Sequence, residues 1–125
     1  MILDTNALSA FADGSSRVGM ILRAAGQPAV PVIVLGEFQY GVAHSTRSRY
    51  YEEWLERYLP GFLILEITVE TAAEYAGVRS ELRQAGKPIP ANDTWIAALC
   101  RQHKLPVLSK DRHFDRVKGL RRVEW

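Results

Sequence analysis

The chain has 125 residues, 47% of them apolar and 24% charged, with a formal charge of +2. That is the size of one domain around a single core, and the composition excludes a disordered chain, a collagen-like repeat and a disulfide scaffold. Sixteen basic residues against 14 acidic ones leave too weak a mean field for charge alone to indicate a polyanion partner.

MILD opens as a short buried strand. A helix is expected from Thr5, with a break at DGSS, resuming from Ser15 or Ser16 and stopping at Gly26. AVPVIV reads as a second buried strand. Helical spacing returns at Leu35, Phe38 and Val42, and again at Tyr51, Trp54, Leu55, Tyr58 and Leu59, before the Pro60-Gly61 stop. FLILEI is the third strand. Thr68 is placed to cap a long helix through Ala72, Ala76 and Leu82 to Gly86, after which two prolines keep KPIPAN extended. Asn92 then caps the helix DTWIAALCRQHK, LPVLS is a fourth strand, and LRRVEW a last short one at an edge.

Strands separated by helical stretches predict an α/β fold around a mainly parallel sheet, in a single domain over residues 1–125. Ligands of such sheets collect at the carboxyl ends of the strands. No apolar run approaches membrane-spanning length and no basic, apolar leader opens the chain, so the expectation is a cytoplasmic protein without a membrane anchor. The single cysteine, Cys100, lies in the apolar run WIAALC and reads as a buried core residue.

On this outline four acids gather at one edge. Asp4 ends the first strand, Glu37 lies about a turn beyond the second, Asp93 opens a helix after the proline loop, and Asp111 follows the fourth strand. Taken singly, each is explained by a carboxylate in the first turn of a helix, stabilised by free N–H groups and the helix dipole. Together they repel, and a fold keeps such a cluster by binding a cation or by protonating some members. No His/Cys set has zinc spacing, so a hard, oxygen-preferring ion, Mg²⁺ or Mn²⁺, is the expected cofactor. Thr5, Asn6, Asn92 and Ser109 are candidates to hold the carboxylates, with Asn92 read first as a plain helix cap. His44, His103 and His113 are read as non-ligands, His113 as a surface residue near the site.

The stretch KDRHFDRVKGLRR carries Lys110, Arg112, Arg116, Lys118, Arg121 and Arg122, six of the 16 basic residues. As a rim around a carboxylate-held cation, Lys110, Arg112, Arg116 and Lys118 would track a nucleic-acid backbone while the ion promotes phosphodiester hydrolysis. The bland reading is a solvated surface segment.

Four stretches, LDTNALS, VIVLGEFQYGV, IPANDTWIAALC and VLSKDRHFDRVKGLRRVEW, run in order along nearly the whole chain. Together they resemble the four successive motifs of the PIN-domain family, in particular the VapC-type toxins of toxin–antitoxin pairs. The resemblance implies a three-layer α/β/α sandwich, endoribonuclease activity with Mg²⁺ or Mn²⁺, a cognate VapB-like antitoxin, an RNA substrate and a homodimer. Carried over by motif, Asp4, Glu37 and Asp93 match the family's three metal-binding acids and Asp111 the fourth. Many relatives have a further acid just before the phenylalanine of the last motif, where this chain has His113; Asp115, one residue beyond Phe114, is the reserve for the fourth acid. In the family, helices near RYYEEWLERY help hold the antitoxin. From its residues alone that stretch reads as a core-packing face, with a groove or dimer face as the alternative. Arg47 and Arg49 suit either an acidic antitoxin segment or RNA.

Two other classes compete. A receiver-type phosphoacceptor domain has similar length and alternation, but it needs paired acids after the first strand and an acceptor aspartate after the third, whereas FLILEITVE offers only glutamates. A non-catalytic PIN-fold RNA- or protein-binding module is the other, and it has no use for four acids in a pocket that must receive a polyanion. A phosphatase or DNA nuclease on the same acids shares the metal chemistry.

Overall fold

A computed structural model describes residues 1–125. Its sheet has five very short strands: β1 (Ile2–Leu3), β2 (Ala29–Pro31), β3 (Leu63–Leu65), β4 (Val107–Leu108) and β5 (Arg122–Val123). Their spatial order is β3-β2-β1-β4-β5 and every neighbouring pair is parallel. Ile2 pairs with Ala29 on one side and Val107 on the other. Central parallel strands are covered on both faces, which is why β1 and β4 are continuous apolar runs of fully buried residues without alternation. From β1 the chain steps outward to β2 and β3, then crosses back to β4 and β5. Direction therefore reverses between β1 and β4, and the crevice of such a sheet opens at the carboxyl ends of those two strands.

Six helices flank the sheet and complete an α/β/α sandwich: α1 (Thr5–Ala12), α2 (Ser16–Ala25), α3 (Val32–Ala43), α4 (Ser48–Tyr58), α5 (Val69–Gln84) and α6 (Ala91–His103). The break between α1 and α2 falls where the sequence placed it. Gly14 takes φ +83°, and the Ser15 hydroxyl accepts the Val18 N–H at 3.3 Å. Thr68 caps α5 as expected, in a reciprocal pair with Thr71. Helix α5 packs along α6, where Arg101 pairs with Glu74 and Glu81. The α4 aromatics pack inward: Trp54 meets Phe11 edge-on at 5.5 Å and stacks on Tyr58 at 5.0 Å, and Tyr51 meets Phe38 at 6.1 Å. Cys100 is buried, and burial pushes its thiol up to about 12, so it is an inert core residue. No helix is long and apolar enough to cross a membrane.

Two boundaries differ from expectation. Only Ala29–Pro31 of AVPVIV is strand; Val32–Val34 form the first turn of α3. Pro31 ends the ladder because it has no N–H to give. At the helix start, where the first N–H groups lack partners anyway, that deficit costs nothing. Glu37 consequently sits in the second turn of α3. Likewise α6 begins at Ala91 behind Pro90, one residue before the expected cap, and Asn92 makes no capping bond.

Candidate metal centre at the carboxyl edge of the sheet

Asp4 leaves β1 at the reversal point and is 5% exposed. Its Oδ1 accepts the Thr5 N–H at 2.8 Å; its Oδ2 accepts the Ser109 hydroxyl at 2.7 Å and the Asn6 amide at 3.2 Å. The cap and the site are thus one residue: Asp4 starts α1 while its other oxygen is tied to the exit of β4. Burial raises its pKa, the bonds from Ser109, Thr5 and Asn6 pull back, and the Asp111 charge adds to the rise.

Ser109 is fully buried and works in two directions. Its hydroxyl proton goes to Asp4, and its oxygen accepts the Asp111 N–H at 2.9 Å. Asn6 closes the same loop from the other side, its Oδ1 accepting the Lys110 N–H at 3.2 Å. Asp111 then caps a short 3₁₀ turn over Arg112–Arg116, its Oδ1 accepting the His113 N–H at 2.9 Å.

That turn swings the His113 ring back into the acids. Its Nδ1 lies 3.0 Å from Asp111 Oδ1 and 3.1 Å from Asp93 Oδ2. The expectation of an ordinary surface position for His113 is therefore corrected. A signal was present in the D-x-H spacing, since an aspartate that accepts the N–H two residues on curls the chain back over itself. One ligand atom each from Asp93, Asp111 and His113 lies within 4.8 Å of the others. Asp93, in the first turn of α6, has its carboxyl raised to about 6, chiefly by burial; the charges of Asp111 and Asp4 push the same way and the His113 bond opposes them.

Glu37 is tied by two clamps to the residues next to Asp4 and Asp93. Thr5 donates to one carboxylate oxygen at 3.2 Å and Asn92 to the other at 3.0 Å. Asn92 is thus a holder of Glu37, and the reading of it as a helix cap gives way: with the helix start supplied by Pro90, its amide is free to cross to α3.

Asp115 goes elsewhere. It points outward and holds the Arg122 guanidinium by two bonds of 2.9 and 3.1 Å, which keep its carboxyl below the usual range. It is committed to that pair, and Asp111 is the acid that joins Asp93. Of the basic rim, Lys110, Arg112, Arg116 and Lys118 are exposed. Arg116 also donates to the Pro88 carbonyl at 3.1 Å, and Lys110 lies 4.9 Å from the centre of the Trp125 ring. Arg122 is spent on Asp115, Glu124 and the Ser109 carbonyl. His44 and His103 lie exposed, away from these contacts.

An all-parallel α/β/α sandwich with acids gathered at its switch point defines the class: a domain with a carboxylate-lined crevice where ligands of such sheets collect. The chain belongs to the PIN domain family, whose profile matches residues 1–120, and within it to the VapC type. It is 33% identical over 102 residues to Ribonuclease VapC2 of Haemophilus influenzae, covering 81% of this chain and 77% of that one. Among solved structures it is similar to VapBC2 from Rickettsia felis bound to a promoter DNA fragment, with a TM-score of 0.87, 25% identity, and 99% and 97% of the two chains covered. It is also similar to FitAcB from Neisseria gonorrhoeae, with a TM-score of 0.82, 30% identity, and 97% and 94% covered.

Proposed function

We propose that this chain is a divalent-metal-dependent endoribonuclease, the toxin of a toxin–antitoxin pair, folded as one domain over residues 1–125 and acting in the cytoplasm as a homodimer. The observation that carries the reading is the convergence of Asp4, Asp93 and Asp111 on one crevice, with Asp93's carboxyl raised to about 6 by burial and by its neighbours' charge. A folded protein gains from such a cluster when a cation occupies it. The donor set fits: a cluster made mainly of carboxylate oxygens, with no thiolate, suits Mg²⁺ or Mn²⁺. The relative named a ribonuclease, and relatives whose solved structures are pairs, support the substrate and the antitoxin partner.

Asp93, Asp111 and Asp4 would hold the ion, with Glu37 beside them. When bound, it supplies neutralisation of phosphoryl charge and a lowered pKa for attacking water. The chain's own side chains do the positioning. Ser109, Asn6 and the Thr5 N–H fix the Asp4 carboxylate in one orientation, and Thr5 with Asn92 denies Glu37 its rotamer freedom. Lys110, Arg112, Arg116 and Lys118 line the approach and take the RNA phosphates.

The test is cleavage of total cellular RNA by purified protein in Mg²⁺, Mn²⁺ or EDTA, with Asp4→Asn alongside. Discrete fragments that require metal and disappear with the variant are expected. Metal binding without cleavage on any RNA would turn the reading toward a PIN-fold binding module.

A further inference from the structure

Resting on that metal-site reading, we infer that His113 is itself a ligand, so that this site coordinates its ion through one imidazole nitrogen and favours Mn²⁺ over Mg²⁺. Where the resemblance led to an acid, this chain has an imidazole, and the fold does not leave it outside. Cis ligands on an octahedral ion with bonds of about 2.1 Å stand about 3.0 Å apart. His113 Nδ1 stands 3.0 Å from Asp111 Oδ1 and 3.1 Å from Asp93 Oδ2, two such edges meeting at the nitrogen.

The ring is also aimed rather than adrift. The His113 backbone N–H is bound by Asp111, and Phe114, the next residue, is fully buried and anchors the turn. At 38% side-chain exposure the ring faces the mouth, where an ion arrives from solvent. An imidazole is a borderline donor to first-row transition ions, with affinity rising along the series from Mn²⁺, whereas Mg²⁺ keeps to oxygen and gives up water reluctantly. Exchanging an oxygen ligand for nitrogen therefore shifts preference along that series without altering the carboxylates.

A rival arrangement has the ring merely bridging two acids in the ion-free protein and leaving when an ion enters. The two differ in what removal of the ring does. Mn²⁺ and Mg²⁺ titrations by calorimetry, with pulsed EPR of bound Mn²⁺, would be run on wild type, His113→Ala and His113→Asp, each checked for folding by circular dichroism. Directly coordinated ¹⁴N coupling is expected in wild type and in neither variant. His113→Ala should lose at least about tenfold in Mn²⁺ affinity, the scale on which metal sites respond to loss of a supporting group, with a much smaller change for Mg²⁺. His113→Asp should bind both ions without a nitrogen signal. Mn²⁺ bound by wild type with no nitrogen coupling, or His113→Ala binding both ions as tightly or tighter, would overturn the inference and leave the nuclease reading standing. Failure of wild type to bind either ion would overturn both.

Discussion

Replacing Asp93 by Asn should stabilise the metal-free protein, although it removes a residue the site needs. The carboxyl sits at about 6 against an ordinary 3.8, so the folded protein holds that proton more tightly than the unfolded chain. A gap of that size is worth at most about 3 kcal/mol. Solvent at the mouth screens it, and about 1–2 kcal/mol is a fairer figure. The sign follows from linkage: with a raised folded-state pKa, the stabilising proton is fully present below about pH 4 and is lost as the pH rises through about 6. The amide keeps an oxygen for His113 but carries no charge. Urea unfolding in EDTA at pH 4.5, 6 and 7.5, taken as variant minus wild type so that uncoupled groups cancel, should show Asp93→Asn gaining about 1 kcal/mol across that range. Relief of charge at position 93 also eases Asp4, which acts in the same direction. Excess Mn²⁺ should reverse the ranking by stabilising only wild type. A difference flat in pH, or wild type the more stable at pH 7.5 without metal, would refute the account of the cluster as mutually repelling.

Ser109→Ala strips a fully buried hydroxyl from Asp4 and from the Asp111 N–H; it should cost about 2–3 kcal/mol in urea unfolding and about 10- to 100-fold in Mn²⁺ affinity, and an unchanged affinity would show that Asp4 needs no such support. Thr5→Ala and Asn92→Ala each leave Glu37 one clamp, so each alone should lower cleavage mildly and the pair should approach Glu37→Ala; strictly additive rate losses would deny the shared target. With Asp4→Asn protein, so that RNA stays whole, Lys110→Ala plus Arg112→Ala should reduce the salt slope of RNA binding by about 1.4, two contacts at roughly 0.7 each. An unaltered slope would place the strand on another face.

Much of the fold could be read ahead of the structure because its punctuation is local chemistry. Ser15 and Thr68 cap where their hydroxyls meet N–H groups, Gly14 and Gly86 adopt positive φ at helix ends, and two prolines hold open the loop before α6. The end of β2 was not legible in the same way. Val32, Ile33 and Val34 are β-branched and suit a strand, and they become helix because Pro31, with no N–H to give, ends the ladder just before them. The first acid, Asp4, followed from its place after an apolar run. Asn92 stood among the candidate holders but was read first by its own helix, and the local D-x-H turn brings His113 to Asp111 without showing the ring's second partner, Asp93; the partners across the crevice are 55 and 20 residues away.

Both residues reach across the crevice, which explains why the chemistry is carried by four extended motifs rather than four isolated acids. In three of the four motifs one residue supplies charge and a near neighbour holds an acid from another motif; the second supplies Glu37, which two of those neighbours hold. Thr5, next to Asp4, holds Glu37; Asn92, next to Asp93, holds the same glutamate from the opposite side; Ser109 holds Asp4; His113 meets Asp93. Adjacent residues on a helix or turn point in different directions, so the neighbour of an acid faces across the crevice while the acid faces into it. Four like charges cannot be gathered by mutual attraction. Here Thr5, Asn92 and Ser109, which carry no charge, help gather them, each bond crossing between elements far apart in sequence, and the repulsion that remains is what a cation entering the mouth relieves.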